Sequence, residues 1–81
     1  MTREQIIDYI EHGREIEFRY QGKMYSITYS PKATKNYISF CEFYKEPTDV
    51  ATAEELFNVT REGVTVLQML ESLTPDDIWI Y

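Results

Sequence analysis

The residues that could perform catalysis or bind a metal are few in this sequence and lie far apart. His12 is the only histidine and Cys41 the only cysteine. A zinc site needs several nitrogen or sulfur ligands, and His12 has no second histidine or cysteine at ligand spacing. His12 is therefore predicted to be structural, because a cation near a helix C-terminus interacts favourably with the helix dipole. Cys41 lacks the cationic neighbours that create a reactive thiolate, and is predicted to be an inert thiol.

Paired carboxylates can perform acid–base chemistry when their pKa values are driven apart. Glu15 and Glu17 share one side of a predicted strand, but they lie on its polar face beside Arg19. The acidic pairs at 54–55 and 76–77 stand at helix starts or turns, where acids favour caps and the helix dipole. Three glycines do not form a phosphate-binding loop. The sequence therefore predicts a protein that is not an enzyme, with no cofactor and no metal.

The first element that the sequence predicts is a helix over 3–12. Thr2 and Gln5 form a candidate capping box, in which each side chain bonds the backbone amide of the other residue. Gly13 follows the helix and can adopt the positive φ that a C-terminal cap requires.

A β-hairpin is predicted next, because two runs of alternating polar and apolar residues flank Gly22. A two-residue loop places Phe18 opposite Tyr25 and Ile16 opposite Ile27. The two apolar sets then share one face, with Glu17 opposite Ser26 on the other, whereas a slip of one residue would bury charges.

A loop over 30–36 and a third strand over 37–45 are predicted after the hairpin. The alternation of the third strand is imperfect. Ile38, Phe40 and Tyr44 share one side, and Cys41 and Phe43 lie on the other. Either a bulge near Cys41–Glu42 restores a single apolar face, or both faces of the strand are partly covered.

The rest of the chain predicts a linker over 46–51, capping boxes that begin at Thr52 and Thr65, and a closing strand over 78–81. The predicted order is α-β-β-β-α-α-β. One antiparallel meander sheet with helices on one face is the simplest way to bury these elements. The fold class is therefore α+β, a two-layer single domain over 1–81.

The composition indicates where the protein works. The net charge is −6, and it is uneven, with +1 in residues 1–45 and −7 in residues 46–81. One cysteine cannot form an internal disulfide, which favours a reducing compartment. The chain shows neither a signal peptide nor an apolar run long enough for a membrane span. We therefore expect a soluble, cytoplasmic protein with no contact to a membrane.

The segment GREIEFRYQGKMYSI, from Gly13 to Ile27, resembles a hairpin that follows an N-terminal helix in a family of small bacterial and phage proteins. The segments 54–57 and 63–67 are similar to the short helix, glycine turn and second helix of that family, and the acidic-aromatic end over 77–81 also fits. The resemblance implies the same helix and hairpin, and it defines no catalytic residue.

The first functional hypothesis is a non-catalytic protein-interaction module that binds a protein partner or itself. An exposed sheet edge or an aromatic patch around Trp79 and Tyr81 would form the contact.

The second hypothesis is an acidic mimic of nucleic acid that inhibits a nuclease or a CRISPR effector, as phage proteins do. The small size and the acidic second half of the chain motivate it. The carboxylates that would imitate phosphates are those of Glu54, Glu55, Glu62, Glu71, Asp76 and Asp77.

The third and weakest hypothesis is binding of single-stranded nucleic acid, with stacking on Tyr37 beside Lys32 and Lys35. The acidic chain opposes it, because phosphate neutralisation dominates such binding. Tyr20, Tyr25 and Tyr29, which share the apolar face of the hairpin, are also expected to be needed in the core.

Overall fold

The computed structural model of the protein describes residues 1–32 and 35–81. Its elements in chain order are α1 (Arg3–Glu11), β1 (Ile16–Tyr20), β2 (Lys23–Lys32), β3 (Lys35–Glu42), β4 (Thr48–Val50), α2 (Ala53–Phe57), β5 (Thr60–Arg61), β6 (Val64–Thr65), α3 (Val66–Ser72), a 3-10 helix (Pro75–Asp77) and β7 (Ile78–Ile80). Five strands form an antiparallel sheet in the order β4-β3-β2-β1-β7, and β5 pairs with β6. The predicted α+β class is confirmed.

Local hydrogen bonds explain where α1 begins and ends. The amide of Gln5 donates to Thr2 Oγ1 (3.2 Å), and the amide of Thr2 donates to Gln5 Oε1 (2.9 Å), which confirms the capping box. At the other end, Arg14 N donates to Tyr9 O and Gly13 N to Ile10 O. Gly13 has φ +66°, so the helix ends in a Schellman motif as its sequence predicts.

The hydrophobic core lies between the helices and one face of the sheet. The sheet contributes the fully buried Phe18 and Tyr25, whose rings stack at 5.2 Å, and Phe40 lies 5.5 Å from Tyr25. The other buried apolar side chains are Ile6, Ile10, Ile16, Ile27, Ile38, Leu56, Phe57, Val66, Met69 and Leu70. The alternation of buried and more exposed residues along β1 shows that its second face is not part of this core.

The hairpin of β1 and β2 has the predicted register, with Phe18 opposite Tyr25 and Ile16 opposite Ile27. Gln21 and Gly22 have φ of +50° and +80°. Positive φ at both central residues is the geometry of a type I′ turn, whose twist matches that of the strands. Gln21 therefore adopts a conformation that asparagine or glycine adopts more readily.

The loop predicted over 30–36 and the strand end predicted at residue 45 are wrong, and of the two alternatives for the imperfect alternation the bulge near Cys41–Glu42 is not observed. The pairing of β2 with β3 runs without a bulge from Tyr25–Glu42 to Lys32–Lys35, so most of the predicted loop over 30–36 is strand, and only residues 33 and 34 lie outside the description. Tyr44 is fully exposed (101%) and has φ +69°. The alternation fails after Cys41 because the strand ends at Glu42 and the chain turns.

The predicted linker over 46–51 contains the edge strand β4, whose three residues are too few to show an alternation. The hairpin of β5 and β6 was also not predicted. Glu62 and Gly63, with φ of +54° and +83°, repeat the turn geometry of the first hairpin. The observed order therefore has a fourth strand before α2 and a small hairpin between α2 and α3.

Candidate functional site

Strand β7 is one edge of the sheet. Pro75 ends the segment after α3 and begins a 3-10 turn, and the chain then runs antiparallel to β1. The register places Trp79 opposite Glu17, with Ile78 and Ile80 opposite Phe18 and Ile16. On its other side, β7 pairs with no strand among residues 1–32 and 35–81.

The backbone of β7 presents specific groups to this free edge. Tyr81 N donates to Glu15 O at 2.8 Å, so residues 15 and 81 form a hydrogen-bonded pair. Hydrogen-bonded and non-hydrogen-bonded pairs alternate along an antiparallel ladder. The backbone of Trp79 therefore faces β1, whereas the amide and carbonyl groups of Ile78 and Ile80 face outward.

The side chains of β7 divide between the two faces of the sheet. Trp79 and Tyr81 lie on the face opposite the helices and are 40% and 59% exposed. The Tyr81 hydroxyl donates to Glu17 Oε1 (2.8 Å), and this hydrogen bond raises the pKa of Tyr81. Ile78 and Ile80 point to the helices and are partly buried against the core. The patch predicted around Trp79 and Tyr81 is thus an exposed aromatic pair on an edge strand.

An open groove of about 370 Å³ lies beside β7 on the helix face. Its lining is largely apolar and consists of Met1, Tyr9, Leu73, Pro75, Ile78 and Ile80, with Gln5 and Thr74 as its polar members. Sequence reasoning missed this groove. The available signal was the spacing of Met1, Gln5 and Tyr9, which recur every fourth residue beside the buried Ile6 and Ile10.

The opposite edge of the sheet, at β4, is closed: its sequence disfavours pairing with a further strand. The amide of Phe43 donates to Met24 O. By the same alternation, residues 47, 49 and 51 direct their backbone away from β3. Pro47 has no amide proton, and the amide of Ala51 donates to Glu55 Oε2 (3.0 Å). Asp49 adds a charge between them. Proline and charge are the means by which edge strands avoid pairing with other chains.

The six acids of the nucleic-acid hypothesis are divided among α2, the turn between β5 and β6, α3 and the 3-10 helix. Three of them form ion pairs with basic side chains of other elements: Glu54 with Arg3 (2.6 Å), Asp77 with Arg19 (2.7 Å) and Glu62 with Lys23. The hydrogen bond to Glu62 raises the pKa of Lys23. Glu55 is the acceptor for Ala51 N, and Glu71 and Asp76 are exposed.

The tyrosines of the hairpin belong largely to the core, as predicted. Tyr25 is fully buried, and its hydroxyl has no hydrogen-bond partner among the described residues. Burial raises the pKa of Tyr25. Tyr29 packs against the core and is half-buried, and Tyr37 is also half-buried. The side chains of Lys32 and Lys35 lie outside the described part of the protein.

His12 and Cys41 make local contacts. His12 Nδ1 lies 2.8 Å from Asp8 O and 3.4 Å from Asp8 Oδ1, at the C-terminal cap of α1. Cys41 Sγ lies 3.0 Å from the carbonyl oxygens of both Glu42 and Lys45.

The described residues contain no group of three or more histidine, cysteine or acidic side chains that could hold a metal ion. None of the helices in residues 1–32 and 35–81 has the length and apolar character that crossing a membrane requires.

Comparison of the chain with protein-family models gives no match. Comparisons with curated proteins and with solved structures also give no match.

Proposed function

We propose that this protein is a non-catalytic interaction module that pairs the free edge of β7 with an extended segment of another polypeptide. One observation carries the proposal. The two edges of the sheet differ, since β4 is closed by Pro47 and by the bond of Ala51 N to Glu55, whereas β7 directs the backbone of Ile78 and Ile80 outward. The cytoplasmic location expected from the lone cysteine is part of the same proposal.

Strand addition would use both faces of the edge. Main-chain hydrogen bonds to Ile78 and Ile80 would provide affinity, and pockets for alternate side chains would provide specificity. Side chains on the helix face would enter the groove beside β7. Side chains on the other face would contact Trp79 and Tyr81, and buried aromatic residues of this kind dominate the energetics of many interfaces.

The acidic side chains have a smaller part in this proposal. Glu54, Glu62 and Asp77 each form an ion pair with a basic side chain of this chain, which favours strand pairing over imitation of phosphates. The remaining negative charge favours bound segments that carry basic residues at their ends, because complementary potentials accelerate association.

The proposal can be tested with linear peptides selected on the immobilised protein from a random phage-displayed library. Hydrogen exchange of the ¹⁵N-labelled protein is then measured with and without a selected peptide. We expect the Ile80 amide to become protected on binding. The Trp79 amide, which faces β1, is protected in both states, and the amide of Asp49 on the other edge is unchanged.

A pair of variants gives the matched control. Alanine at both Trp79 and Tyr81 should weaken peptide binding by at least about tenfold, since such anchors are each worth more than about 1 kcal/mol. Tyr44→Ala removes a fully exposed aromatic side chain away from β7 and should leave the affinity unchanged. Selected peptides that bind without protecting Ile80, or that bind the double variant as well as the wild type, would contradict the proposal.

A further inference from the structure

We infer that a second copy of this chain occupies the β7 edge, paired antiparallel across a two-fold axis that passes beside Trp79. This inference rests on the proposed function and names the occupant of the site. It starts from the sequence Ile78-Trp79-Ile80, which reads the same in both directions. An antiparallel pair of identical triplets matches isoleucine with isoleucine at both ends and tryptophan with tryptophan in the centre.

The backbone permits this register. Hydrogen-bonded pairs can form only between residues whose amide and carbonyl groups face outward, which are Ile78 and Ile80. With Trp79 on the axis, Ile78 lies opposite Ile80 of the second copy, and the reverse pair is equivalent by symmetry. Each pair exchanges both of its bonds, which gives about four hydrogen bonds in total.

The side chains fit the same register. Trp79 and its symmetry mate form a non-hydrogen-bonded pair, the position at which cross-strand side chains approach most closely and aromatic pairs stabilise a sheet. On the helix face, the isoleucines of the second copy would extend the apolar surface of Ile78 and Ile80 and cover the mouth of the groove. Each copy then presents the same surface to the other, as an interface with two-fold symmetry requires.

The charges do not oppose this pairing. The paired triplet carries no charged side chain, although the chain as a whole has a net charge of −6. The nearest acid along the strand is Asp77, which forms an ion pair with Arg19 at 2.7 Å. Asp77 would lie opposite Tyr81 of the second copy, whose hydroxyl already donates to its own Glu17.

The pairing also ends the assembly at two copies. Joining two five-stranded sheets through β7 leaves β4 as the edge strand at both ends. Pro47 and the bond of the Ala51 amide to Glu55 close that edge, so a third copy finds no open edge on the joined sheet.

Disulfide trapping tests the register directly, in a Cys41→Ser background. The two copies of residue 79 would have Cα atoms about 4.5 Å apart, within reach of a disulfide. The two copies of residue 81 would be about 14 Å apart, because each lies two residues from the axis on opposite sides. We therefore expect oxidation to link Trp79→Cys and not Tyr81→Cys. Equal linking of both variants, or linking of Tyr81→Cys alone, would overturn the inference.

Sedimentation provides a second measurement that does not depend on cysteine chemistry. The wild type should approach twice the protomer mass of 9.7 kDa as its concentration rises. Trp79→Lys and Trp79→Glu should each be monomeric, because like charges would stand directly opposite, and an equimolar mixture should dimerise again. The control Tyr44→Lys, remote from β7, should behave as the wild type does.

The outcomes separate this inference from the proposed function. A wild type that stays monomeric at millimolar concentration, while a selected peptide protects the Ile80 amide, overturns self-pairing and leaves the edge as a site for other segments. Dimers that persist in both charged variants place the interface elsewhere and overturn the inference as well. If neither a peptide nor a second copy protects Ile80, the proposed function also fails.

Discussion

The hydroxyl of Tyr29 donates a hydrogen bond of 2.8 Å to the carbonyl oxygen of Arg14, and so ties β2 to the connection between α1 and β1. Arg14 is also the residue whose side chain donates to the carbonyl oxygen of Tyr81. The segment that ends α1 is therefore attached both to the middle of the sheet and to the edge strand.

Removing the Tyr29 hydroxyl is expected to destabilise the protein. Tyr29→Phe leaves the carbonyl of Arg14 without this donor and should lower the free energy of unfolding by about 1 kcal/mol. Tyr25→Phe is the matched control, because the Tyr25 hydroxyl is buried without a partner among the described residues. Its removal should leave stability unchanged or raise it by about 1 kcal/mol. Chemical denaturation of the three proteins checks both values, and an equal loss in the two variants would contradict the assigned hydrogen bond.

The same tyrosine should make stability depend on alkaline pH. Burial, with a smaller effect of Glu15, raises the pKa of Tyr29 from 10.0 to about 12. Between these values the unfolded chain loses the proton and the folded protein keeps it. The contribution of Tyr29 to the free energy of unfolding should therefore be constant below pH 10 and fall as the pH rises towards 12.

Tyr29→Phe should show a shallower fall than the wild type over this range of pH. The effects of Tyr25, Tyr81 and Lys23, whose pKa values are also raised, are common to both proteins and cancel in the comparison. Denaturation curves collected at several pH values measure the two slopes, and identical slopes would show that Tyr29 titrates normally in the folded protein.

Tyr44 is expected to hold a strained backbone. Its φ of +69° lies in the left-handed region, which costs an L-residue with a Cβ roughly 1 kcal/mol. Its side chain is fully exposed, so side-chain packing does little to offset this strain. Tyr44→Gly should therefore be more stable than Tyr44→Ala by about 1 kcal/mol. Thermal unfolding of the two variants measures the difference, and equal melting temperatures would indicate that the turn adopts a different conformation.

Local sequence signals were sufficient for the elements that local interactions determine. The capping box at Thr65 and the hairpin register through Phe18 and Tyr25 agree with the structure, because each depends on residues close in sequence. The capping box at Thr52 is only half correct. Thr52 accepts from Glu55 N, but the Glu55 side chain binds the amide of Ala51, at the edge of β4.

Long-range pairing explains the remaining errors. Strand β4 exists because it pairs with β3, and its three residues carry no periodic pattern. The candidate site was predicted only in part. Trp79 and Tyr81 were identified by type and position, whereas the outward direction of the Ile80 backbone follows from the register of β7 on β1. That register joins residues at least 60 positions apart, so a local sequence pattern does not predict it.

The hydrogen bond from the Ala51 amide to the Glu55 side chain is expected to keep the β4 edge from pairing with another strand. Glu55→Ala frees the amide of Ala51, which its side chain now occupies at 3.0 Å, and so offers a new donor at that edge. An opened second edge would let paired copies join end to end, since both ends of the sheet could then accept a strand. We expect Glu55→Ala to form oligomers larger than two, seen as light scattering that rises with protein concentration. Glu54→Ala is the matched control, because it removes a neighbouring carboxylate that pairs with Arg3 and has no bond to the β4 edge. Equal scattering from both variants would mean that lost charge, and not the opened edge, promotes association.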